Sequence, residues 1–257
     1  MNSSDSNIQS SAQDKWFTVA FGALYPIIYA HRTVEAAVPE ARFACKAVAL
    51  RQEDSVLDLC CGTGRHLVTL QKTGATLTGI DYSADLLHMA RSRLEPSTRL
   101  IRADMRHLPF NAAFSVVFSF FTSFGYFCND GDNLMAACEI HRVLARGGRF
   151  FMDYLNPLNL ESTLKKETVR VVEEYTLQEQ RWIDDTARRV NKRIEVIKNG
   201  RQLDTIHESV RLYRVEELSA LLKKAGLRVI SCLGDYSGAP YNADSHRMIL
   251  TGVKAAP

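Results

Sequence analysis

Residues 56–64, VLDLCCGTG, run from apolar Val56 and Leu57 through an acid and two cysteines into Gly62 and Gly64. A short apolar, β-prone run that ends in closely spaced glycines and leads into a helical pattern reads as a strand, a tight turn and a helix. At the carboxyl end of a parallel sheet such a turn presents bare backbone N–H groups and a helix N-terminus, where these folds bind ligands. Gly62 and Gly64, lacking Cβ, admit unusual backbone angles and close approach. The chain's six cysteines include no C-x-x-C and no pairing with histidines at zinc-ligand spacing, so Cys60 and Cys61 read as small packing residues and no metal site is expected.

Downstream, apolar runs alternate with helical patterns, the signature of βαβ units. Strands are expected at 56–60, 75–80, 99–104, 114–120 and 149–154, with a helix from about Gly64 to Gly74, a second capped by Ser83 and stopped by Pro96, and a third over roughly Asp132 to Leu144. The pattern then changes: β-rich runs at 186–197 and 202–213 flank Asn199-Gly200, a strong hairpin signal. An amphipathic helix at 215–226 and two strands, LRVISCL and HRMILTGV, finish the chain. Upstream, Lys15 to Leu50 reads as one or two helices bearing Trp16, Phe17, Phe21, Tyr25 and Tyr29. The expected fold is α/β, a doubly wound, Rossmann-like, seven-stranded sheet with its seventh strand antiparallel, preceded by helices and interrupted after strand five by an antiparallel β insertion.

At 257 residues and 46% hydrophobic, the chain can bury a substantial core. Residues 1–15, polar with one large aliphatic side chain, read as a disordered tail without the apolar run of an export signal, which points to a cytoplasmic protein. The longest apolar stretch, Ala112 to Phe127, is interrupted by serine, threonine and glycine and is too short to span a bilayer, so no membrane partner is expected. A net charge of +3 does not imply nucleic acid.

Two nucleotide loops fail on local tests. Gly62-x-Gly64 is followed by Arg65, His66 and Leu67, without the third glycine of a dinucleotide fold, and no G-K-[ST] makes a P-loop. Asp58, Cys60, Gly62 and Gly64 instead resemble motif I, D-x-[G/A/C]-x-G-x-G, of class I S-adenosylmethionine-dependent methyltransferases. The resemblance extends in order to Asp81 at the end of strand two, to Asp104 and Met105 in RADMRHLPF, and to LARGGRF before strand five. It covers about residues 50–155 and 214–254, departing where Ser115 replaces an Asp and Arg146 a Pro. It implies S-adenosyl-L-methionine as cofactor, with Asp81 accepting from the ribose hydroxyls and Asp104 reading the adenine amino group. Tyr25, Tyr82 and Phe121 complete the expected cofactor contacts. It also implies domain limits of 16–50 for the N-terminal helices, 51–156 for the cofactor core, 157–213 for a β-rich lid and 214–257 for the rest of the core.

The methyl acceptor is expected beyond strands four and five, beside FFTSFGYFCND at 120–130, where Ser123, Tyr126 and Asn129 are polar candidates. Asp153 leads as a possible base, with Tyr126 and His31 as further catalytic candidates and Asn156 and His246 nearby in the pattern. Added strands and N-terminal helices resemble small-molecule members such as amino-sugar and glycine N-methyltransferases, implying a compact acceptor methylated on N or O. Alternatives are an RNA or protein acceptor, or a non-catalytic nucleotide-binding module. The [DN]-P-P-[FY] of nucleic-acid adenine methyltransferases is absent, since Thr122-Ser123-Phe124 follows strand four. The insertion would serve as a lid or as a dimer contact, leaving monomer and homodimer open.

Overall fold

The computed structural model describes residues 16–255; the expected tail at 1–15 lies outside them. Among the described residues three N-terminal helices, α1 (Phe17–Ala20), α2 (Tyr25–Ile28) and α3 (Val34–Ala47), stand where one or two were anticipated. The core then runs β1 (Ser55–Leu59), α4 (Leu67–Leu70), β2 (Thr76–Asp81), α5 (Ala84–Arg91), β3 (Arg99–Arg102), β4 (Phe114–Ser119), α6 (Asp130–Val143) and β5 (Leu144–Leu155). The insertion comprises α7 (Pro157–Thr163), β6 (Glu167–Val172), β7 (Tyr175–Asp184), β8 (Arg189–Lys198) and β9 (Arg201–Arg211), and the chain closes with α8 (Val215–Lys224), β10 (Leu227–Leu233) and β11 (Arg247–Lys254).

The main sheet has seven strands in the order β10-β11-β5-β4-β1-β2-β3. Strands β1 to β5 pair in parallel, while β11 runs antiparallel to both β5 and β10. Successive strand residues face opposite sides. Val56, Phe118 and Phe151 therefore join Ala41, Ala44, Leu67, Leu70 and Ala90 of α3, α4 and α5 on one face. Leu57, Val117, Phe150 and Met152 join Ala136, Ile140, Leu218 and Leu222 of α6 and α8 on the other. The doubly wound arrangement brings the carboxyl ends of β1 to β4 to a common edge, so their following loops share one site.

Local chemistry sets several boundaries. The Ser83 and Asn129 side chains accept from Leu86 N and Asp132 N, capping α5 and α6, and Gly74 closes the turn after α4 at φ 77°. Asn199 and Gly200, at φ 51° and 74°, make the tight turn between β8 and β9.

The insertion is larger than one hairpin: β6 to β9 form a separate four-stranded antiparallel sheet. Its apolar side, Leu177, Ile194, Val196 and Ile206, packs with Trp16, Ala20, Ile28 and Tyr29 of the N-terminal segment. Buried Arg189 of β8 donates to the carbonyls of Phe127 at 2.9 Å and Tyr126 at 3.1 Å, fastening this sheet to the loop after β4. Among the described residues no helix is long and apolar enough to cross a membrane.

Candidate active site

A cleft of about 880 Å³, its open mouth included, lies at the carboxyl edge of β1 to β4. Cys60 to Thr63 form one side, Asp81 and Tyr82 the next, Ala103 to Met105 a third, and Phe120, Phe121, Ser123, Tyr126 and Phe127 a fourth. Phe17, Phe21, Tyr25 and Arg32 of the N-terminal segment complete it. No lining residue belongs to 157–213, so the insertion does not form the cleft wall directly, as a lid was expected to do. It packs behind the N-terminal segment that does, and from the loop after β4 Tyr126 stacks on Phe21 at 5.6 Å and lies 5.0 Å from Trp16. The Ser83 hydroxyl donates to Phe21 O at 2.6 Å, pinning the same segment to the end of β2.

The glycine loop is held by Asp81. Its Oδ2 accepts from Gly62 N at 2.8 Å and its Oδ1 from Ser83 N at 2.9 Å. Burial raises this carboxyl above its ordinary range, and the backbone donors pull it back only in part. Cys60, Gly62 and Gly64 all take positive φ, at 62°, 54° and 74°. A Cβ on Gly62 would meet nothing within 4 Å, whereas one on Gly64 would lie 2.9 Å from Leu94 Cδ1 and 3.1 Å from the Ala90 Cβ. Gly62 keeps the cleft floor open and Gly64 lets α5 pack against the loop.

Gly64→Ala is therefore expected to cost about 1–3 kcal/mol of stability by overpacking. Gly62→Ala should cost only about 1–2 kcal/mol of backbone strain while weakening cofactor binding. Denaturant melts paired with cofactor titration separate the two effects.

Asp58 lies under this floor, 1% exposed, with Oδ2 buried and unpartnered. Burial pushes its carboxyl up to about 8, and the nearby Arg65 guanidinium opposes the rise. An orphaned buried carboxylate oxygen below an open glycine floor suits a ligand with a cationic group, which the ammonium of S-adenosylmethionine supplies. An unfolded Asp loses its proton near 3.9 and the folded one holds it to about 8. The folded chain therefore binds more protons across that interval, and the ligand-free protein loses stability as pH rises through it. An ammonium seated beside Asp58 favours the ionised form. Cofactor uptake is thus expected to release a proton and to tighten between about pH 6 and 8, by at most tenfold per unit. Calorimetry in buffers of different ionisation enthalpy would show this as a buffer-dependent heat; a buffer-independent heat would contradict it.

Tyr25, Cys60, Gly62, Asp81, Tyr82, Asp104, Met105, Phe121 and Tyr126 all line the cleft. Asp104 is committed to Arg106, which reaches it at 2.7 Å and also bonds Asp132 at 2.8 Å. Burial favours its neutral form, yet the Arg106 bonds outweigh this and hold the carboxyl below its usual range. Burial raises the Cys60 and Cys61 thiols and the Tyr126 phenol well above their ordinary values, so all three stay protonated near neutrality.

Asp58, Gly64, Asp153 and His31 are not among the residues that line this cleft. Asp153 is fully buried and accepts from Arg247 Nε at 2.6 Å, the Tyr236 hydroxyl at 2.6 Å and Phe121 N at 2.8 Å. Its task is to hold Phe121 and Thr122, both at positive φ, 56° and 61°. His31 is exposed at the surface beside Tyr29. Asn156 is likewise structural, donating to the carbonyls of Asn242, Ala243 and Ser245, and His246 is exposed before β11.

Arg32, Arg65 and His66 are among the lining residues that were not anticipated. Arg32 comes from the α2–α3 connection; Arg65 and His66 follow the glycine loop. His66 stacks on Phe120 at 3.9 Å and bonds Glu40 at 2.8 Å, and burial lowers its imidazole to about 4. Arg65 is the site that sequence could have shown, as the first side chain after Gly64.

A methyltransferase-domain family model matches residues 56–148. The cypemycin N-terminal methyltransferase of a Streptomyces species is 29% identical over 76% of this chain and 81% of its own. A dTDP-3-amino-3,4,6-trideoxy-α-D-glucopyranose N,N-dimethyltransferase of Streptomyces venezuelae is 36% identical over 38% of this chain and 40% of its own. The crystal structure of an S-adenosylmethionine-dependent methyltransferase from Clostridium acetobutylicum superposes with a TM-score of 0.75 at 20% identity, covering 91% of this chain and 96% of that one. The chain thus carries a methyltransferase domain, and together with the strand order and the glycine loop these likenesses support an S-adenosylmethionine-dependent methyltransferase with S-adenosylmethionine as its cofactor.

Proposed function

We propose that this enzyme methylates a nitrogen or oxygen of a small molecule in the cytoplasm, acting as a monomer or homodimer. The observation that carries the reading is the enclosure of the cleft by Phe17, Phe21, Tyr25 and Tyr126, a set of aromatic walls suited to a compact ligand. The names of the cypemycin and amino-sugar relatives place their methyl groups on amines, which favours nitrogen. Cys60 and Cys61, adjacent as thiols beside the cofactor loop, suit a reducing compartment.

Bound cofactor supplies a methyl already activated by its sulfonium, for displacement by an acceptor lone pair. The protein's part is alignment, which can contribute up to about 7–11 kcal/mol. In this reading Asp81 and the Gly62 floor fix the nucleoside side, Asp58 and Arg65 the amino-acid side, and Phe121 and Tyr126 face the acceptor. The test is incubation with methyl-labelled cofactor and a cell extract, followed by ultrafiltration. Enzyme-dependent label in the filtrate in a compound separated by chromatography from the cofactor supports a small acceptor; label retained on RNA or protein overturns it.

A further inference from the structure

Three guanidinium groups converge on the Phe121 ring: Arg32 and Arg65 each lie 4.7 Å from its centroid and Arg247 lies 5.1 Å away. Their counter-charges are unequal. Arg247 is paired with Asp153 at 2.6 Å. Arg65 is paired with Glu40 at 2.9 Å, a carboxylate it shares with His66. Arg32 forms no ion pair with a carboxylate among the described residues. Its Nη1 donates to the Tyr25 hydroxyl at 3.3 Å, and its Cζ lies 3.7 Å from the Tyr29 ring. Two donors in this cluster are buried with no partner: Arg32 Nε, and Nη2 of Arg65, a residue only 7% exposed. Buried charged donors without acceptors are costly, and a guanidinium edge matches a carboxylate or phosphate oxygen pair.

The cofactor brings one carboxylate, and Arg65 is placed for it. That residue directly follows Gly64, and it is the cation acting on Asp58, which the proposed function assigns to the adjoining ammonium. Arg32 reaches the same ring from the N-terminal segment. It sits against Tyr25 and Tyr29, and Tyr29 donates to Glu208 of β9 in the inserted sheet. Glu208 faces Lys192 across the β8–β9 pair, so this carboxylate already has a cation beside it. One positive charge in the cleft wall is left over once the cofactor is accommodated.

We propose that the methyl acceptor carries an oxyanion, a carboxylate or a phosphate, which Arg32 holds in this cleft. The proposal rests on the methyltransferase reading above and narrows its substrate class. Arg32 is a binding residue that orients the acceptor by its anionic end, leaving the nucleophilic atom free to face the cofactor.

The experiment titrates protein saturated with S-adenosylhomocysteine with sodium acetate and, separately, with inorganic phosphate. Binding of either anion to the wild-type complex is expected, and which one binds names the acceptor's group. Arg32→Met should weaken it by about tenfold or more, and Arg32→Lys should restore part of it. S-adenosylhomocysteine affinity should change less than about threefold in Arg32→Met, while Arg65→Met should weaken that ligand and spare 5′-methylthioadenosine, which lacks the amino-acid end. If the wild-type complex binds neither anion, the proposal is overturned, and this arm needs no variant. It is equally overturned if Arg32→Met or Arg32→Lys loses S-adenosylhomocysteine but keeps 5′-methylthioadenosine, since Arg32 would then hold the cofactor's carboxylate. Failure of folded wild-type protein to bind S-adenosylhomocysteine at all would instead remove the methyltransferase reading and this proposal together.

Discussion

Asp81→Ala protein is expected to bind S-adenosylhomocysteine on the order of 100-fold more weakly than wild type, a loss of about 3 kcal/mol. The side chain links two loops: Gly62 N at 2.8 Å on the first and Ser83 N at 2.9 Å on the second. Removing it strands two backbone donors and releases the glycine floor, in addition to any contact with the ribose hydroxyls. A carboxylate offers more lone pairs than these two donors occupy, so the same group can hold the loop and still accept from a ligand. Calorimetric titration of the mutant, with a melting curve to verify folding, decides the matter. Wild-type affinity in the mutant would remove Asp81 from the binding site.

The second large effect concerns stability. Asp153→Ala should destabilise the protein by about 3–5 kcal/mol, because it leaves the Arg247 guanidinium without its carboxylate. For a chain of this size that corresponds to a fall in Tm on the order of 10 °C. The Phe121 wall should loosen with it, since Asp153 accepts from Phe121 N and Arg247 also bonds the Thr122 hydroxyl at 2.8 Å. Asp153→Asn separates this positioning role from general-base catalysis. It keeps an acceptor for Phe121 N and the Tyr236 hydroxyl, so activity should persist with an unchanged acidic limb in the pH profile of kcat/KM, at reduced Tm. Loss of activity at wild-type Tm would restore Asp153 as a base.

The main sheet was legible because its strands carry dense apolar runs and its helices end on glycine or begin on a capping side chain. This edge of the cleft was legible for a related reason: the residues that line it sit at fixed places in chain order, at the ends of β1, β2 and β3. Strands β6 and β7 were not anticipated because their alternation hides a charge. Glu179 occupies an inward position at 2% exposure and is satisfied there by Arg170, Arg181 and Lys192. A reading based on apolar periodicity has no way to foresee an inward acid whose partners come from its own strand and both neighbours.

Strand β5 shows a different limit. It begins at Leu144, ahead of the expected Arg149, because the glycine pair is carried within the strand across a register shift against β4. The true place of Asp153 depended on Tyr236 and Arg247, 83 and 94 residues away, and Arg32 became part of the site only through the packing of α2 against the inserted sheet. Such tertiary partners leave no local trace.

The division of labour in the cleft also bears on how such an enzyme diversifies. The floor that grips the cofactor is built from loops inside the βα repeat, where a change in one residue disturbs the sheet. Phe17, Phe21, Tyr25 and Arg32 of the wall come instead from the segment that precedes the repeat, braced from behind by a sheet spliced into it. Substitutions in that outer scaffold can redirect the enzyme toward new acceptors while the methyl-donor seat is inherited unchanged.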